Sequence, residues 1–218
     1  MLELPFRIGE HAREVTAMYG MVNQAIVEYL GDEFGSEILY AVLEQSGCQE
    51  TQFSGMTQYP DETSYALVGA AADATGRPAE DILGKIGEYW VGFALRSDYG
   101  DLLRMAGNDL PNLLQNLDHL HARVGEAFDD LRPPSFWCDE LTEDSLVLHY
   151  ASERPGLEPM VAGIVRGLGH LVETNTTVSW EAAQAGDSCA FQVQFVAQAS
   201  ARSAGTPIPT TADGSGAP

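Results

Sequence analysis

Ser145-Leu146-Val147-Leu148-His149-Tyr150-Ala151-Ser152-Glu153-Arg154 is the stretch where the helical period of the upstream chain gives way to an extended one. The apolar run Leu146, Val147 and Leu148 predicts a strand over residues 145–154, whose side chains alternate between two faces. Tyr150, Ser152 and Arg154 are then expected on one face, as two hydroxyls and a guanidinium fork. That set suits an anion with paired carboxylates, because Arg binds carboxylate bidentately and hydroxyls donate to the remaining lone pairs. A solvated strand face carries the same residue types, so the triplet gains meaning only from the rest of the chain.

Working outward, the upstream pattern is helical. Met21, Val22, Ala25, Ile26 and Leu30 follow Met18-Tyr19-Gly20 at three- and four-residue steps, ending at Gly31. Further helices are predicted over 36–45, stopped by Gly47, and over 64–74, closed by Gly76. Pro78-Ala79-Glu80-Asp81 opens another with Pro at its first turn, carrying Ile82, Leu83, Ile86, Tyr89, Trp90 and Phe93. A short piece covers 99–105 and a longer helix covers 110–128.

Beyond Arg132-Pro133-Pro134, residues 135–138 read as extended and are joined to the quoted strand by an acidic turn. A helix returns over 156–172, and 176–182 and 189–197 form a strand pair around Gly186-Asp187. The fold class is α+β: an N-terminal helical subdomain, then a small antiparallel sheet with one inserted helix. Residues 1–17 are polar and poorly patterned, an N-terminal extension. Residues 200–218, rich in Ala, Ser, Gly, Thr and Pro, read as a disordered tail.

The charge balance narrows the partners. Eleven Lys+Arg against 32 Asp+Glu give the 218-residue chain a formal charge of −21. Such a surface repels phosphate backbones and anionic membranes, which argues against nucleic acid and membrane as partners. The three cysteines, Cys48, Cys138 and Cys189, lack metal-site or CxxC spacing and read as reduced thiols. No apolar run approaches a membrane span and no signal-peptide core opens the chain, so a cytoplasmic location is expected.

The helix over 110–128 places Leu110, Leu113, Leu114, Leu117, Leu120, His121, Val124 and Phe128 at helical spacing. His121 is level with that stripe and Asp118 lies one turn back, while His119 faces elsewhere. Such a histidine is either a core-edge residue or the neutral imidazole that a buried haem iron takes as axial ligand. Haem also brings two propionates, the charge pattern that Tyr150, Ser152 and Arg154 suit.

Met18-Tyr19-Gly20-Met21-Val22-Asn23, Leu117-Asp118-His119-Leu120-His121, Arg132-Pro133-Pro134-Ser135-Phe136 and Tyr150-x-Ser152-x-Arg154 follow one another in order. Together they resemble an H-NOX domain, the haem nitric oxide/oxygen binding module, and the haem domain of the soluble guanylate cyclase β subunit. The resemblance covers residues 18–199, of the stand-alone bacterial type, and implies haem b between the helical and sheet halves. It puts His121 in the place of the proximal iron ligand and Tyr150, Ser152 and Arg154 in that of the propionate-binding triplet. Pro134, thirteen residues after His121, matches a proline pressed on the haem face.

The resemblance also implies selectivity. Members that bind O2 place a tyrosine after the propionate motif, and Met160 stands at the aligned position, six residues past Arg154. Trp90 matches a position that some NO-sensing members fill with a large aromatic. The expectation is a sensor of NO and CO at ferrous haem that excludes O2. It would signal to a separate protein, a histidine kinase or a cyclic-di-GMP enzyme, by release of His121. An O2 sensor or carrier using the Trp90 N–H as donor is the second reading, and a haem-free interaction module the third. An enzyme is not expected: there is no Gly-rich phosphate loop, no Gly-x-Ser-x-Gly elbow and no paired-histidine motif. Gly163-x-x-x-Gly167 reads as close helix packing.

Overall fold

The computed structural model describes residues 17–48, 50–126, 131–181 and 188–197. In chain order the elements are β1 (Ala17–Tyr19), α1 (Gly20–Ser46), β2 (Gln58–Pro60), α2 (Asp61–Thr75), α3 (Ala79–Arg96), α4 (Gly100–Ala106), α5 (Leu110–Gln115), α6 (Leu117–Gly125), β3 (Ser135–Asp139), β4 (Ser145–Ala151), α7 (Glu158–Leu171), β5 (Thr174–Trp180) and β6 (Cys189–Ala197). The helices-then-sheet layout is as expected. β3, β4, β6 and β5 form one antiparallel sheet in that order, and β1 pairs with β2 in a second, two-stranded one.

Two apolar cores result. Ile26, Leu30, Val42, Leu67, Ile82 and Ile86 close the helical half. Leu113, Leu114, Leu148, Val165, Leu168 and Phe191 lie between α5, α7 and the inner sheet face.

Several expected boundaries move. Helical residues run from Gly20 to Ser46 with the break at Gly35, whose φ of 80° and ψ of 172° lie outside the helical region; it does not fall at Gly31. Gly47 stops the helix as expected, with a left-handed φ of 71°. The single helix expected over 110–128 is two, interrupted at Asn116 (φ −97°, ψ 4°). Asp109 caps the first piece through Asn112 N–H at 2.9 Å, and the Asn116 amide donates to the Ala106 carbonyl at 2.7 Å. The strand expected over 145–154 ends at Ala151. Ala17–Tyr19 is strand rather than featureless extension or helix start. The expected turn at Gly186-Asp187, Phe128, residues 1–16 and the tail lie outside the described residues.

α3 and α7 meet along a glycine seam, as Gly163 and Gly167 promised. A Cβ on Gly163 would strike the Gly84 carbonyl oxygen, and one on Gly87 would strike that of Met160. This backbone contact brings Trp90 on α3 and Met160 on α7 to the same space. Gly163→Ala is therefore expected to destabilise the protein by about 1–3 kcal/mol through overpacking, read as a lower urea midpoint. An unchanged midpoint would contradict the seam.

Candidate functional site

Two cavities, about 130 Å³ and 220 Å³, share Met21, Trp90, His121, Val124, Phe136, Val161 and Ile164 as walls. All seven residues singled out from the sequence, Trp90, His121, Pro134, Tyr150, Ser152, Arg154 and Met160, line the larger one. The space lies between the helical half and the sheet half, and most of its wall is apolar.

α6 supplies one side. The His121 ring stacks on Phe136 of β3, with centroids 5.5 Å apart and planes 16° from parallel. The strand is clipped to the helix by Phe136 N–H donating to Asp118 Oδ1 at 3.0 Å. His121 Nδ1 is buried and has no hydrogen-bond partner among the described residues. Leaving such an atom unpaired costs about 1–3 kcal/mol, so the ring is better matched to a ligand than to the fold. Burial lowers the His121 pKa, against an opposing pull from Asp118, so the neutral form is favoured. A neutral imidazole is the form that binds a metal.

This shift has a consequence for stability. The unfolded chain takes up the His121 proton near pH 6.5, before the folded protein does. Stability is therefore present above that pH and falls as pH drops through the window below it, toward the lowered folded value. His121→Leu is expected to flatten that slope in acid, measured by urea unfolding of haem-free protein between neutral and mildly acidic pH.

α3 and α7 form the opposite wall. Trp90 stacks on Phe93 with centroids 5.6 Å apart and lines both cavities. Met160 and Ile164 lie across from it without a donor. Sequence reasoning missed two polar residues here, Ser97 and Tyr99, on the wall of the smaller cavity. Both are engaged: the Ser97 hydroxyl donates to the Ala94 carbonyl at 2.7 Å, and the Tyr99 hydroxyl points at Met56 Sδ at 3.8 Å.

The polar mouth differs from the expected one-faced strand. Tyr150, next to last in β4, points inward, with its hydroxyl pKa raised by burial and Ser152 as its hydrogen-bond partner. The chain then bends, and the Arg154 N–H donates to Ser152 Oγ at 3.1 Å. Arg154 thus reaches the mouth by a bend and not by strand alternation. Its Nε donates to Asp61 Oδ2 at 3.0 Å, Nη1 to the Arg132 carbonyl at 3.0 Å and Nη2 to the Ala17 carbonyl at 2.8 Å. Asp61, at the first turn of α2 and only 4% exposed, is a third residue that the sequence did not announce. A guanidinium has five N–H donors. With three engaged, one on each Nη remains for an anion.

These residues fit haem: an unpartnered, neutral imidazole on one wall, an apolar space, and a hydroxyl–guanidinium mouth for two carboxylates. Cys138 adds nothing to that chemistry, since burial pushes its thiol up to about 11.

Comparison with known proteins agrees with this fit. The haem-NO-binding family model matches residues 19–180. Soluble guanylate cyclase gcy-31 of Caenorhabditis elegans is 30% identical over 162 residues, covering 74% of this chain and 23% of that protein. Soluble guanylate cyclase gcy-33 from the same organism is 32% identical over 146 residues, 67% of this chain and 15% of that protein. The chain thus spans less than a quarter of these relatives. Among solved structures, an H-NOX protein from S. oneidensis in the Fe(II)NO ligation state superposes with a TM-score of 0.73 at 16% identity, covering 82% of this chain and 99% of that one. The unliganded Fe(II) H-NOX protein from K. algicida gives 0.72 at 19% identity, with 84% and 98% covered. The chain belongs to the haem-NO-binding, or H-NOX, family of haem-based gas sensors. No helix among the described residues is long and apolar enough to cross a membrane.

Proposed function

We propose that residues 18–199 form a sensor of NO and CO that excludes O2 and acts on a separate protein in the cytoplasm, a histidine kinase or a cyclic-di-GMP enzyme. The observation that carries this reading is the convergence of His121, with its buried unpartnered nitrogen, and the Tyr150–Ser152–Arg154 mouth on one apolar cavity. Haem b, when bound, supplies a ferrous iron that takes NO or CO as ligand. His121 would hold the iron from α6. Tyr150, Ser152 and the two remaining Arg154 N–H groups would hold the propionates. Pro134 would press on the face of the ring.

On the other side Met160 offers no donor, which favours ligands that need none over O2. His121, holding haem, would couple the ligand state to α6 through its side chain, and Phe136, stacked on the ring, would respond with it. Such switching rests on different affinities of the ligand for two conformations.

One observation favours the second reading, an O2 sensor or carrier: Trp90, whose indole carries an N–H donor, lines the same cavity. The test is the visible spectrum of the reduced protein under argon, in air and with NO. A spectrum unchanged by brief air but shifted by NO is expected. A persistent oxy band, lost in Trp90→Phe, would transfer the assignment to O2. Colourless protein after expression with haem supply would leave only the haem-free interaction module.

A further inference from the structure

The strand that touches His121 carries a second built feature on its outer face. Phe136 points inward to the histidine, and its neighbour Trp137 points outward and is 42% exposed. Trp137 lies flat on His149 across the β3–β4 pair, with centroids 4.9 Å apart and planes 5° from parallel. His149 Nε2 is in turn 3.1 Å from Asp139 Oδ2. The indole is therefore held in one orientation before any partner arrives, which reduces the ordering cost of binding. Among the described residues β3 is also an edge strand, with β4 as its one neighbour in the sheet.

The charge around this platform is one-sided. Residues 135–151 contain Asp139, Glu140, Glu143 and Asp144 and no Lys or Arg. Some carboxylates elsewhere have basic partners: Asp61 has Arg154, Glu88 has Lys85 and Arg166, and Asp101 has Arg104. None of the four hairpin carboxylates has an Arg or Lys partner among the described residues. Leu141 at the tip is 52% exposed, so the surface joins negative charge to an aromatic and an aliphatic contact. Rigid aromatics beside complementary charge are what interface centres use.

We propose that this β3–β4 hairpin is the output surface of the sensor, and that its occupant is a basic segment of a separate protein. An Arg or Lys of that segment stacks on Trp137, its neighbours pair with Glu140, Glu143 and Asp144, and an apolar side chain covers Leu141. The stacking is a cation–π contact. Only the word "output" rests on the gas-sensor reading: Phe136 feels any movement of His121, and Trp137 is the next residue along the same strand.

The test uses the full-length, haem-loaded chain, labelled with nitrogen-15 and titrated with a synthetic peptide of alternating Arg and Leu. A second peptide carries Gln in place of Arg. The Trp137 indole N–H and the His149 amide are expected to shift with the Arg peptide and not with the Gln peptide. Trp137→Ala is expected to weaken binding about tenfold, between the scales of an exposed and a desolvated cation–π contact, and Trp137→Phe to recover most of it. Shifts centred on another acidic face, or an affinity indifferent to Trp137→Ala, would overturn the proposal. The two readings fail separately. A chain that takes up no haem removes the sensor and leaves the hairpin measurable in the same titration, whereas loss of Trp137 dependence removes the hairpin and leaves the haem spectra intact.

Discussion

His121→Gly is expected to lose haem during purification and to regain it when imidazole is supplied. His121 lines the cavity, and its Nδ1 is buried without a partner among the described residues, so deleting the ring removes the proposed axial ligand without breaking a described hydrogen bond. Free imidazole is small enough to enter the gap and restores coordination but not the covalent link to α6. In wild type, a change at the iron is expected to travel through His121 to the stacked Phe136 and so into β3, where the Phe136 N–H is held by Asp118. The rescued variant should show the same NO-dependent spectrum as wild type with no NO-dependent shift of the β3 amides. A full β3 response in the rescued variant would sink the tether, because the signal would then bypass position 121. Haem retained without imidazole would mean that another group holds the iron.

How much of this was legible beforehand depends on the range of the interaction. The apolar stripe of Leu110, Leu113, Leu114 and Leu117 continues across Asn116 in unbroken helical register, so the sequence reads one helix where there are two. The break is stabilised from outside, by the Asn116 amide on the Ala106 carbonyl. β1 and β2 are three residues each, too short for alternation to register, and β2 ends in Pro60, which argues against a strand. The Gly163-x-x-x-Gly167 spacing did announce close packing, because small residues one helical turn apart have few other uses.

For the site, Trp90 and Met160 are legible as apolar-face residues whose helices must meet, and the four ordered motifs tie them to His121. Tyr150-x-Ser152-x-Arg154 was legible as a polar cluster, but its geometry was not. Alternation alone cannot show that the chain bends after Ala151, or that Arg154 turns to a carboxylate 93 residues away in sequence.

That carboxylate carries the second large effect: Asp61→Ala is expected to destabilise the haem-free protein by about 3 kcal/mol. The ion pair is 13% and 5% exposed at its two side chains, and cutting one partner of a buried pair typically costs about 3–5 kcal/mol, because the remaining charge is left uncompensated. The lower end applies because Arg154 keeps the Ala17 and Arg132 carbonyls as acceptors. Haem loading should then rescue the variant. If Arg154 faces the propionates, they supply the negative charge that Asp61 no longer does, and the gain in thermal midpoint on haem addition is larger in Asp61→Ala than in wild type. Asp61→Asn, which keeps an acceptor but not the charge, should fall between the two. Equal gains in all three would mean that Arg154 serves the fold alone, binding Asp61 and two carbonyls, and that the propionates are held by Tyr150 and Ser152 without it.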